Sequence, residues 1–219
     1  MTIRLAIFDC DGTLSDGQAA VCSAMDAAFA AAALPAPERH QVRRIVGLSL
    51  PQAIRHLAPD ASVQQQHEVV EAYKTAFRAA RMDGTLHEPL FEGIPDLLRT
   101  LHGEGWALAV ATGKSDRGLA STLAANGLTD LFSSLQTADR HPSKPHPSMV
   151  EQCLADTGAE ASRAVVIGDT VFDMDMAASA GTRAIGVEWG YHEASELLAA
   201  GALGVARDCA QLKEMLDAI

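Results

Sequence analysis

The stretch Phe8-Asp9-Cys10-Asp11-Gly12-Thr13-Leu14-Ser15-Asp16 (FDCDGTLSD, residues 8–16) decides how the chain is read. The apolar run before it, Leu5 to Phe8, reads as a buried parallel strand. Two carboxylates, Asp9 and Asp11, then follow one residue apart. A fold alone gains nothing from that choice. Carboxylates about 4 Å apart repel by roughly 4 kcal/mol at an effective dielectric of 20. Such a pair calls for a cation or a shared proton.

Further along, the same punctuation recurs. Trp106 to Ala111 ends in Thr112-Gly113-Lys114, Ala164 to Ile167 ends in Gly168-Asp169-Thr170, and Ala184 to Val187 ends in Glu188-Trp189-Gly190. Helical patterns lie between: Ile94 to Leu101 with Pro95 near its start, Leu119 to Ala125 closed by Asn126-Gly127, Met149 to Leu154, and Met174 to Ala180 stopped by Gly181. Strand–helix alternation predicts an α/β fold with a parallel sheet and right-handed crossovers. Ligands in such sheets sit beyond the carboxyl ends of the strands. The fold would therefore gather Asp9, Asp11, Thr112 and Asp169 in one crevice.

Residues 15–85 break the alternation. Gln18 to Ala33 is Ala-rich with apolar residues at helical spacing, and Pro35 and Pro37 end it. Ile45 to Leu57 and Val63 to Met82 also read as helices, the second with Val70, Tyr73 and Phe77 on one face. The expectation is an all-helical cap over 15–85, inserted into an α/β core made of 1–14 and 86–219.

The chain has 219 residues, 48% of them hydrophobic, and a formal net charge of -11. That composition is globular, and the charge opposes binding to a nucleic-acid backbone. No stretch reaches ~18 apolar residues, so no membrane span is expected. Cys10, Cys22, Cys153 and Cys209 form no C-x-x-C pair and read as reduced thiols, which points to the cytoplasm.

The acidic set offers only oxygen donors, which favours Mg2+ over zinc. Thr112 offers a hydroxyl, Gly113 a backbone N–H, and Lys144, in HPSKPHP, a mobile cation. Together they suit a phosphate group. A carboxylate beside them can attack phosphorus and carry the group as an acyl phosphate, while a second carboxylate moves the proton. Cys10 reads as packing, His141 and His146 as solvated loop residues, and Lys114 as a solvated charge. Arg43 to Ser49 faces either a substrate or solvent.

Asp9-Cys10-Asp11-Gly12-Thr13-Leu14, Thr112-Gly113, Lys144-Pro145 and Gly168-Asp169-Thr170-Val171-Phe172-Asp173 resemble, in order, the four motifs of the haloacid dehalogenase superfamily. The stretch from Gly168 to Gly190 is especially similar to its phosphoglycolate phosphatase-like group. The resemblance implies a Rossmann-like parallel core with a helical cap, and a Mg2+-dependent phosphatase acting on a small phosphorylated metabolite. Within it Asp9 would be nucleophile and metal ligand, and Asp11 the general acid/base with its carbonyl on the metal. Thr112, Gly113 and Lys144 would hold the phosphoryl group. Asp169 would ligate Mg2+, and Asp173 would support the metal's water shell or orient Lys144. An acid at Asp11 favours phosphoryl transfer over dehalogenation. 2-Phosphoglycolate leads the substrates by resemblance alone. A phosphomutase or pyrophosphatase would use the same chemistry, and a phospho-accepting signalling module is a third class. Either a monomer or a homodimer is compatible with the sequence.

Overall fold

A computed structural model describes residues 3–219. Six parallel strands form one sheet: β1 (Leu5–Phe8), β2 (Ala107–Thr112), β3 (Ser134–Thr137), β4 (Ala164–Gly168), β5 (Arg183–Val187) and β6 (Val205–Ala206). Their order is β3-β2-β1-β4-β5-β6, so the chain starts in the middle of the sheet and winds outward in both directions. This is the doubly wound arrangement, and its crevice opens where the winding reverses, beside β1.

Alternation along β1 sends its residues to two cores. Ala6 and Phe8 pack with Val110, Ile167, Leu98 of α5 (Ile94–Gly103) and Leu212 of α10 (Cys209–Asp217). Leu5 and Ile7 pack on the other face with Met149 of α7 (Ser148–Thr157) and Met174 and Ala177 of α8 (Val171–Ser179). The other core helices are α6 (Asp116–Ala125) and α9 (Ala194–Ala199).

The helical cap comprises α1 (Gln18–Ala31), α2 (Arg39–Arg44), α3 (Leu50–Leu57) and α4 (Val63–Met82). It has an apolar centre of its own, with Met25, Phe29, Val42, Ile54 and Val69 all buried. The two connections to the core run side by side: Asp16 N–H donates to Pro89 O at 2.8 Å and Phe91 N–H to Leu14 O at 3.1 Å.

Four expectations are corrected. Ile45 to Leu57 is not one helix. Gly47 takes a left-handed φ of 99°, the loop 45–49 leaves the helical path, and Pro51 sits in the first turn of the new helix α3. The second strand runs to Thr112 rather than Ala111. Strands β3 and β6 were not expected, because Ser-Leu-Gln-Thr lacks an apolar run and β6 has only two residues. Helix α6 begins at Asp116, where the Ser115 hydroxyl accepts from Gly118 N–H at 3.1 Å.

Candidate active site

Strands β2, β1 and β4 are neighbours, and their carboxyl ends each deliver a polar side chain to one place. Thr112 is the last residue of β2, Asp9 follows β1, and Asp169 follows β4. Asp173 joins them from the first turn of α8. Carboxylate oxygens of Asp9, Asp169 and Asp173 lie within 4.8 Å of one another, all buried.

Each acid is held differently. Thr13 Oγ1 donates to Asp169 Oδ1, and Tyr191 N–H donates to its Oδ2, both at 2.9 Å. The approach requires Gly12, whose φ is 85° and where a Cβ would stand 2.2 Å from Asp169 Oδ2. Asp173 serves two neighbours. Its Oδ2 accepts from Thr170 N–H at 3.1 Å and Thr170 Oγ1 at 2.7 Å, starting α8 with a capping box. Its Oδ1 takes Lys144 Nζ at 2.6 Å.

Lys144 corrects the picture of a mobile loop cation. Its side chain has no exposure, and Nζ bridges Asp173 Oδ1 and Asp9 Oδ1, the latter at 2.8 Å. Burial opposes its charge, but Asp173 and Asp9 outweigh it and hold the ammonium well above the ordinary lysine range. Asp9 is likewise buried, not exposed. The lysine lies off the hydrogen-bonding direction, so neither Asp9 oxygen receives a directed hydrogen bond. Burial pushes the Asp9 carboxyl up to about 7, with Lys144 pulling the other way. Burial also raises Asp169 well above the carboxylate range, reinforced by Asp173 and Asp9.

Asp11 turns its carboxylate elsewhere. Lys114 Nζ meets Asp11 Oδ1 at 2.9 Å and Glu88 Oε1 at 2.6 Å, with these side chains 9%, 14% and 7% exposed. Lys114 is therefore no solvated charge. Sequence reasoning missed it and Glu88. The signal available was a lysine directly after the strand-end Thr112-Gly113 pair. Burial raises the Asp11 carboxyl, and Lys114 opposes the shift.

The loop between α2 and α3 faces the core rather than solvent. A Cβ on Gly113 would lie 2.6 Å from both Gly47 O and Leu48 O, so glycine there admits the cap. Around the loop, Arg44 grips Glu196 at 2.5 and 2.7 Å, Ser49 N–H donates to Ser143 Oγ at 2.8 Å, and His192 Nε2 pairs with Arg44 O at 3.1 Å. Between cap and core lies a cavity of about 490 Å³, with Asp11, Gly113 and Lys114 on its floor.

Among the residues set aside, Cys10 is buried in the core, and its thiol is pushed up to about 12, first by burial. It is packing. His141 is not solvated. It is half-buried between Ser148 Oγ at 2.7 Å and Gln136 Oε1 at 2.9 Å, away from the acids. His146 is exposed.

The donor set fits a hard divalent cation. Every ligand offered is oxygen, and the Asp9 oxygens are buried acceptors without a directed partner. Four aspartates and Glu88 face two lysines, an excess of negative charge that a divalent ion would offset.

A family model described as haloacid dehalogenase-like hydrolase matches residues 6–187. The chain belongs to that family. Among curated relatives of this hydrolase, the probable phosphatase IndB of Dickeya dadantii is 36% identical, covering 90% of this chain and 86% of its own. A phosphoglycolate phosphatase of Pectobacterium atrosepticum is 30% identical, with coverage of 89% and 85%. A crystal structure of a hydrolase from Pseudomonas syringae superposes on the hydrolase with a TM-score of 0.86 at 26% identity, covering 100% of this chain and 99% of that one.

Proposed function

We propose that the hydrolase is a Mg2+-dependent phosphatase that cleaves a small phosphomonoester through a phosphorylated Asp9. The observation that carries this reading is Asp9 itself: a buried carboxylate with no directed hydrogen bond, next to a lysine and within reach of two further aspartates. Asp9, Asp169 and the backbone carbonyl of Asp11 would hold the cation, with Asp173 supporting it from behind through Lys144. When bound, Mg2+ supplies charge neutralisation between the nucleophile and the phosphoryl oxygens.

Asp9 attacks phosphorus, and the ester oxygen leaves as Asp11 gives it a proton. Burial raises the Asp11 carboxyl above its ordinary value, the direction that favours holding the proton it has to give. Lys114 holds its carboxylate in position. Water then attacks the acyl phosphate, with Asp11 taking the proton back. Thr112 Oγ1, Gly113 N–H and Lys144 hold the phosphoryl oxygens throughout. The cap over residues 15–85 shuts bulk water from the crevice.

Phosphate release from a panel of phosphomonoesters, including 2-phosphoglycolate, tests the reading. Turnover should require Mg2+ and fall at least 1000-fold in Asp9→Asn, roughly 4 kcal/mol of transition-state stabilisation. Undiminished turnover in that variant, or none of the esters cleaved by the wild type, defeats it.

A further inference from the structure

The cavity between cap and core is larger than a two-carbon acid needs. Its 490 Å³ lies within the range of sites that enclose drug-sized ligands. Its walls have two characters. Around the cavity stand Val21, Met25, Leu48, Tyr73 and Phe77, an apolar band with the Tyr73 and Phe77 rings tilted against each other at 5.0 Å between centroids. Tyr73 lines the same cavity as Asp11, Gly113 and Lys114.

Further along α4 the wall becomes cationic. Arg78 and Arg81 line the cavity from one face of the helix, and Arg117 lines it from the first turn of α6. None of these three arginines has an ion pair among the described residues. The Nε of Arg81 is a buried donor with no hydrogen-bond partner. The nearby acid Asp139 accepts from Asp116 N–H at 2.8 Å and, among the described residues, forms no ion pair with any of the three. Lys74, also on the wall, is paired with Glu71 at 2.7 Å. A chain with a net charge of -11 thus leaves three guanidinium groups unmatched around one cavity. An unpartnered buried N–H is unfavourable unless something occupies it. From Tyr73 to Arg81 the helix rises about 12 Å. A two-carbon phosphorylated acid is too short to reach from one end to the other.

Resting on the phosphatase reading, we infer that the substrate is a phosphomonoester with an apolar, ring-like or branched body and a second anionic group, taken by Arg78, Arg81 and Arg117. The phosphoryl group lies on the catalytic floor, the body lies against Tyr73 and Phe77, and the far anion meets the arginines. The three arginines are specificity determinants rather than catalytic residues.

Steady-state kinetics on a set of aryl phosphates tests this. Phenyl phosphate supplies the body alone, 4-(carboxymethyl)phenyl phosphate adds a carboxylate, 4-(phosphonomethyl)phenyl phosphate adds a phosphorus acid, and 2-phosphoglycolate supplies the short dianion. At least one of the two doubly anionic aryl esters should have a KM tenfold or more below that of phenyl phosphate. Which of them gains more identifies the second group as carboxylate or phosphate. The preference should shrink to under threefold in Arg78→Gln/Arg81→Gln and in Arg117→Gln. The latter sits at an exposed position and keeps the test open if the double variant misfolds. Equal KM values, a preference that survives in the variants, or cleavage of phosphoglycolate alone overturns the inference and leaves the phosphatase reading in place. Cleavage of none of the four, nor of any other phosphomonoester, overturns that reading and the inference with it.

Discussion

Replacing Gly113 by alanine isolates the contribution of cap closure. The backbone at Gly113 does not adopt a left-handed φ, so alanine fits the local conformation. The obstacle is the cap. The new Cβ would lie 2.6 Å from Gly47 O and from Leu48 O, and both atoms are backbone. Carbon–oxygen contacts settle at about 3.3 Å or more, so the loop has to retreat by roughly 0.7 Å. Displacement on the scale of 1 Å can cost about 100-fold in rate, or about 2.7 kcal/mol. The core itself meets no clash, because an opened cap relieves it. Removing a glycine also restricts the unfolded chain, worth about 0.4–1 kcal/mol in favour of folding. Expected, then, is a roughly 100-fold fall in kcat/KM with an unchanged or slightly higher Tm, measured by phosphate release and thermal unfolding. Wild-type kcat/KM in Gly113→Ala would refute the closed cap as the working state. A large drop in Tm would refute the assignment of the clash to the cap.

Lys114→Met leaves Asp11 and Glu88 facing each other in a largely buried site. It should cost about 3 kcal/mol, a Tm fall of roughly 6–12 °C for a chain of this size, and Glu88→Gln added to it should recover part of the loss. Glu196 is held down to about 2 from an ordinary 4.5, first by its hydrogen bonds to Arg44. Because its pKa is lowered in the folded state, its contribution is complete above pH 4.5 and fades as pH falls toward 2. The pair is at the surface, so about 1 kcal/mol is at stake. Limited proteolysis should find the cap linkers more open at pH 3 than at pH 6, and Glu196→Gln should abolish that difference. Mg2+ at a hundredfold excess over its Kd should stabilise the fold by about 2.7 kcal/mol, and Asp169→Asn should erase the gain in Tm.

The strand ends were legible because chemistry interrupts apolar runs there. Phe8 to Asp9, Ala111 to Thr112 and Ile167 to Asp169 each pass from core to crevice within two residues. Strand β3 was not, because its buried polar residues satisfy one another at long range: Ser134 and Gln136 both donate to Asp156, at 2.7 Å. No local pattern encodes that. The break at Gly47 is masked in the sequence because the apolar spacing continues across it. The pairing of Lys114 with Glu88 was illegible for a related reason. The two lie 26 residues apart, and only the fold brings their charges together. The unmatched arginines of α4 look in sequence like an ordinary solvated face. Their meaning depends on what is missing around them.

Asp173 ties two vocabularies together at one position. One oxygen spells the start of a helix, and the other steadies the lysine beside Asp9. A glutamate there would overreach the turn, and an asparagine would keep part of the cap while losing the charge. A substitution at this site therefore reaches the start of the helix and the placement of the lysine at once. A copy of the protein whose α8 fails to wind also arrives with its lysine unplaced, so a misfolded molecule is disarmed by the same defect that misfolds it.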